Sequence, residues 1–208
     1  YRKEENAKLA TTYGPYFQTS RDGRWGILTY FTGTSSNDVF AVDLDRWART
    51  GDFARTEVIA GGSGSNSADV LGDTLFLHTT EGAKNGKVVA VDLNDPRRER
   101  WKELVPERKD VTIRSVSLAR GLLAVNLLRD AVSRIELYGL DGRPLGELPL
   151  PGIGSASLRT SDDRTEAFLT YTSFNEPSGV YRVDLATKRV ELWERPKVPV
   201  DPSLVEVK

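Results

Sequence analysis

An all-β fold made of repeated antiparallel units is what this sequence predicts, and three observations carry the prediction. A short run of β-branched and aromatic residues recurs four times and closes on a turn and a leucine, at Val39–Leu44, Val88–Leu93, Ile135–Leu140 and Val180–Leu185. The four leucines lie 49, 47 and 45 positions apart, the spacing of propeller blades built as four-stranded antiparallel sheets. An apolar strand precedes each run, and no segment sustains the 3.6-residue period of a helix.

The elements follow in order within each copy. The strands ahead of the runs are expected at Trp25–Phe31, Thr74–Thr79, Leu122–Leu127 and Ala167–Thr172. Leu75, Leu77 and Thr79 alternate with Thr74, Phe76 and His78, as a two-faced strand requires. Upstream of two of these strands, Ser20-Arg21-Asp22-Gly23 and Ser161-Asp162-Asp163-Arg164 supply residues that tolerate tight hairpins. After each run come a polar turn and an outer strand, expected at Thr56–Ala60, Trp101–Val105, Pro144–Leu148 and Arg189–Trp193. Short, charged outer strands suit an exposed sheet edge. Asp95–Val105 has Pro96 where a first helical turn would take it, but the repeat places an outer strand there.

Composition narrows the function. The chain has 208 residues, a formal net charge of −1, 28% charged residues and no cysteine. Near-neutral charge gives no electrostatic footprint for nucleic acid or an anionic membrane. No apolar run approaches the roughly 18–20 residues that span a bilayer. Lack of cysteine excludes disulfides and thiolate metal sites and leads to the expectation of a reducing cytoplasm, although many periplasmic proteins also lack cysteine. The opening Tyr1-Arg2-Lys3-Glu4-Glu5 has no apolar segment behind it, so no signal peptide is expected. The absence of methionine leads to the expectation that the chain was processed or is part of something longer.

Candidate chemistry is sparse. A nucleophile elbow needs glycine two places either side of a serine. Gly61-Gly62-Ser63-Gly64-Ser65 comes nearest, but Ser67 stands where Ser65 needs a glycine, and no lysine follows to make a phosphate loop. A flexible inter-blade linker is the expectation. His78 is the single histidine and is expected to be structural, without a serine or aspartate partner at a recognisable spacing. With one histidine and no cysteine, neither a metal nor a cofactor is expected. Asp43, Asp92 and Asp184 recur by repeat position and are expected to close turns rather than bind calcium. Trp25, Trp47, Trp101 and Trp193 invite a sugar-stacking reading, but the strand positions of Trp25 and Trp193 favour core or inter-blade packing.

Several segments together resemble the prolyl oligopeptidase family. They are Glu81-Gly82-Ala83, Trp101–Glu107, Leu128–Arg134, Tyr171–Phe174 followed by Pro177 and Val180-Tyr181, and Val198-Pro199-Val200 with Asp201-Pro202. The resemblance covers residues 16–208 and implies the C-terminal four blades of a seven-bladed propeller. It also implies a separate α/β-hydrolase domain that holds the catalytic serine, aspartate and histidine and cleaves short peptides after proline. On that reading 1–15 is a remnant or linker, 16–64, 65–110, 111–154 and 155–195 are blades, and 196–208 leads towards the peptidase domain. The propeller then gates peptide access, with Arg129 and Asp130 as candidate contacts on its inner rim and no catalytic triad in this chain. Its expected partners are the hydrolase domain, the missing blades and the peptide substrate, with no nucleic acid and no membrane. Apolar faces left open on the first and last blades lead to an expectation of self-association. The alternative is a stand-alone or engineered propeller scaffold that binds a ligand; an independent propeller enzyme lacks the clustered catalytic residues it needs.

Overall fold

The protein is described here by a computed structural model, which describes residues 14–197. It divides into two compact units, Tyr1–Glu107 and Arg108–Lys208. Each unit holds two four-stranded antiparallel sheets in which strands follow one another in chain order. In unit one these are β1 (Gly14–Thr19), β2 (Trp25–Phe31), β3 (Asn37–Asp43) and β4 (Arg55–Ile59), then β5 (Asn66–Leu71), β6 (Thr74–Thr79), β7 (Lys87–Asp92) and β8 (Lys102–Val105). In unit two they are β9 (Thr112–Ala119), β10 (Leu122–Arg129), β11 (Val132–Gly139) and β12 (Pro144–Leu148), then β13 (Ser155–Arg159), β14 (Glu166–Thr172), β15 (Gly179–Asp184) and β16 (Arg189–Glu194). The repeated runs are the third strands, and each sheet gains a first strand that the repeat pattern alone does not mark. The expected exit segment at Val198–Pro202 lies outside the described residues.

Two-residue alternation explains how the sheets stack. In unit one Ile27, Val39 and Ala41 of the first sheet pack against Leu75, Leu77, Val89 and Val91 of the second. In unit two Ala124, Ile135 and Leu137 of the third sheet pack against Ala167, Leu169 and Val183 of the fourth. All of these are at most 3% exposed, and fully burying a side chain of this size contributes roughly 1.5–3 kcal/mol.

One element departs from the all-strand expectation. The connection after β3 contains a short helix, α1 (Leu44–Thr50). Asp43 caps it by accepting from the Arg46 N–H at 2.8 Å, and Gly51 ends it at φ 72° with its N–H on the Trp47 carbonyl. The helix buries none of its residues. Asp95–Val105 resolves as the repeat requires, with a single 3₁₀ turn at Arg98–Arg100 before β8.

Candidate functional site

The aspartates that recur after the third strands are turn-closing groups. Asp92 Oδ1 accepts from the Asn94 N–H at 2.9 Å, and Asp184 Oδ1 from the Ala186 N–H at 2.9 Å. In the third sheet the acid moves on to Asp141, which accepts from the Arg143 N–H at 3.0 Å. The vacated place is Gly139, where a Cβ would lie 2.6 Å from the Asp141 Oδ1. Among the described residues no group of three or more His, Cys, Asp or Glu side chains is arranged to hold a metal ion.

The glycine-rich linker is not a loose loop. The Ser63 and Gly64 N–H groups both donate to Glu81 Oε2, at 3.0 and 2.8 Å. This backbone nest, an anion site by nature, is filled by the protein's own carboxylate. Gly61 N–H donates to the buried Asp38 carboxylate at 2.9 Å. Beyond the nest, Asn37 N–H donates to the Gly64 carbonyl, and Asn37 Oδ1 accepts from the Asn66 N–H at 2.7 Å. Each asparagine Nδ2 also donates to the other's backbone carbonyl, at 2.9 and 2.6 Å.

Unit two repeats the arrangement with different side chains. Ser133 N–H donates to the Gly154 carbonyl at 3.0 Å, and Ser133 Oγ accepts from the Ala156 N–H at 3.0 Å. Each clasp joins the start of a third strand to the linker and first strand of the next sheet. The glycines are required by close approach: a Cβ at Gly64 would sit 2.6 Å from the Glu81 backbone nitrogen, and one at Gly154 would sit 2.9 Å from the Tyr171 ring.

His78 and Ser67 face each other across the β5–β6 register, a pairing that their spacing in the sequence does not announce. Ser67 Oγ and His78 Nδ1 are 3.5 Å apart, the outer limit of a hydrogen bond. Nε2 is buried without a partner, and burial lowers the imidazole pKa below 6.5. A serine–histidine contact therefore exists, but no carboxylate orients the ring, so it lacks the third member that a nucleophilic site uses. The other titratable cluster lies in unit two, where the Tyr138 hydroxyl donates to Glu136 at 2.5 Å and Arg108 pairs with the same carboxylate. Burial first, then the bond to Glu136, pushes Tyr138 up to about 12, which removes it from acid–base work near neutrality.

Arg129 and Asp130 stand at the β10–β11 hairpin. Arg129 ends β10 and its guanidinium pairs with the Asp110 carboxylate. Asp130 and Ala131 form the two-residue turn at φ 50° and 62°, the left-handed pair that a tight hairpin demands. Beside them, Val132, Arg134, Pro149, Leu150 and Ile153 line an open groove of about 400 Å³. At the same end of the fourth sheet Phe174 is 98% exposed on the β14–β15 hairpin. Trp25 is buried and donates Nε1–H to Asp73 at 2.9 Å, whereas Trp193 is not a core residue: it is 62% exposed and meets Phe168 edge to face at 6.0 Å.

Known proteins share this arrangement. The family model described as the prolyl oligopeptidase N-terminal β-propeller domain matches residues 4–196. A prolyl endopeptidase of Elizabethkingia miricola is 27% identical over 88% of this chain and 25% of its own length. The dual function macrocyclase-peptidase POPB of Galerina marginata is 29% identical over 96% of this chain and 28% of its own length. A solved prolyl endopeptidase, studied for inter-domain dynamics in catalysis and specificity, superposes with TM-score 0.85 and 32% identity over 92% of this chain and 28% of that one. Prolyl oligopeptidase B of Galerina marginata bound to a 35mer substrate superposes with TM-score 0.81 and 26% identity over 91% of this chain and 28% of that one. The chain thus spans about a quarter of the length of the relatives it matches. A family model covering nearly all of the described residues, on sheets of this order and register, places the chain in the prolyl oligopeptidase family, within its N-terminal β-propeller domain.

Proposed function

We propose that this chain is the non-catalytic, access-limiting part of a prolyl oligopeptidase-like serine peptidase, acting on short proline-containing peptides with a hydrolase domain supplied elsewhere in the polypeptide. The observation that carries the reading is the family match over residues 4–196 in a chain a quarter as long as its relatives. The chemistry supports it from the other side: the one serine–histidine contact has no orienting carboxylate, and the linker nest is already occupied by Glu81.

In unit two the end that carries the β10–β11 and β14–β15 hairpins is also where β16 runs out at Glu194, paired with the first residues of β15. With Phe174 and Ile153 exposed there, this end suits a neighbouring domain, and Arg129 and Asp130 beside it suit contact with a passing peptide. An access role makes size selection the decisive readout. In the longer polypeptide, loosening the first clasp with Asn37→Ala and Asn66→Ala is expected to admit longer proline peptides. Turnover of a dipeptide-sized chromogenic substrate should stay unchanged. Arg129→Ala is expected to raise KM for peptides severalfold at constant kcat. Identical peptide-length profiles for the clasp variant and the parent would remove the gating role and leave a scaffold.

A further inference from the structure

The outer strand of the third sheet is built differently from the others, and the difference leads to one lysine. In the first, second and fourth sheets the ladder between third and fourth strands shifts at Val39/Phe40, Val88/Val89 and Val180/Tyr181, near the start of the third strand. In the third sheet the shift comes at Leu137/Tyr138, towards the end of β11, and Leu145 of β12 is the extra residue. A bulge residue drops out of the ladder, so its carbonyl needs another donor. Leu145 packs half-buried on the core between the third and fourth sheets. Its carbonyl accepts from Lys188 Nζ of the fourth sheet at 2.6 Å. The ammonium donor makes this a charge-assisted bond, and partial burial shields it from salt.

Two further features favour the same bond. Lys188 lies in the β15–β16 turn at φ 60°, in the left-handed region where an L side chain is strained. The corresponding turn of the third sheet puts its positive φ on Gly142, at 88°. Glycine or asparagine would sit more easily at position 188, but neither could reach the bulge. On the receiving side Gly146 keeps the space open, since a Cβ there would lie 2.6 Å from Lys188 Nζ.

The bond closes one end of a seam whose other end is already fastened. Where β11 begins, Ser133 clasps Gly154 and Ala156 across the third and fourth sheets. Lys188 sits at the opposite end, where the β9–β10 and β13–β14 turns are joined by a backbone bond from the Arg120 N–H to the Arg164 carbonyl at 3.1 Å. We propose that Lys188 is a latch that holds this end of the seam shut at its outer rim. The Ser133 clasp is the hinge about which the two sheets part when the latch is released. The latch is a property of unit two and does not depend on the access role.

Amide hydrogen exchange of the full chain tests the latch against a plain turn role. Lys188→Gly relieves the strained φ and removes the bond, so the two roles predict opposite signs. A latch predicts that exchange at the Arg120 N–H rises about tenfold or more, because that amide is protected across the released end. Exchange at Ser133 and Ala156 on the hinge, and at Leu169 in the middle of the fourth sheet, is expected to change much less. Unchanged or slower exchange at Arg120 overturns the latch and leaves Lys188 a turn residue. An equal rise at Arg120 and Leu169 overturns it as well, since the lysine then contributes only to the stability of the whole sheet. If circular dichroism shows that Lys188→Gly does not fold, Lys188→Asn, also at ease at positive φ, is read in the same way. Failure of both variants to fold exceeds what one latch loses and likewise overturns it.

Discussion

Single residues hold the sheets in register, and their contributions can be measured. The Asn37 side chain accepts from the Asn66 N–H and donates to the Asn66 carbonyl; truncating it strands both partly buried partners, which costs about 1–3 kcal/mol per unsatisfied group. Asn37→Ala is therefore expected to destabilise more than Ser133→Ala, whose side chain meets only the Ala156 N–H, with denaturant midpoints as the check. Gly64→Ala should exceed both, because its Cβ would meet backbone rather than a mobile side-chain end. His78 predicts a pH effect of definite sign. Its folded pKa is depressed by burial below the unfolded 6.5, so its neutral form favours folding. That stability is complete above pH 6.5 and is lost as pH falls through the folded pKa. Thermal midpoints between about pH 7 and pH 5 should fall in the parent and stay flatter in His78→Gln. At this scale the sequence discloses residue types but not pairings. The Asn37–Asn66 clasp and the Ser67–His78 contact depend on strand register, and Asn37 and Ser133 do the same work with side chains that no pattern search would align.

Elements were legible where local chemistry and period agree. Trp25–Phe31, Thr74–Thr79 and Pro144–Leu148 are strands over the residues that their alternation marks. The helix α1 was not legible, since seven residues without a buried side chain carry no apolar stripe. Its signal is at the ends, in the Asp43 cap and Gly51. Asp43→Ala is expected to cost about 1 kcal/mol and to lower helicity slightly, while the equivalent change at Asp184, which closes a turn without a helix, should leave helicity unchanged. The outer strands share a device of their own. In every sheet the ladder between the third and fourth strands shifts register, at Val39/Phe40, Val88/Val89, Leu137/Tyr138 and Val180/Tyr181. Bulges of this kind twist an edge away from pairing with other chains.

For the whole molecule, the repeat spacing and the family-like segments were enough to reach the propeller fold and the family. The outer face of the fourth sheet is less legible, because Phe168 reads as another core position until the register sets it opposite Arg182. At this scale the family and its propeller architecture are what the comparisons establish. The proposed access role draws its support from a serine beside a histidine without an orienting acid, a nest filled by its own glutamate and hairpins exposed at one end of unit two.

The most direct test is covalent labelling with a fluorophosphonate probe, followed by mapping of the modified serine. The account predicts no labelled serine and no cleavage of proline peptides by this chain, Ser67 included, and one labelled serine outside these residues in a longer polypeptide that contains them. Stoichiometric labelling of any serine within the 208 residues would contradict it.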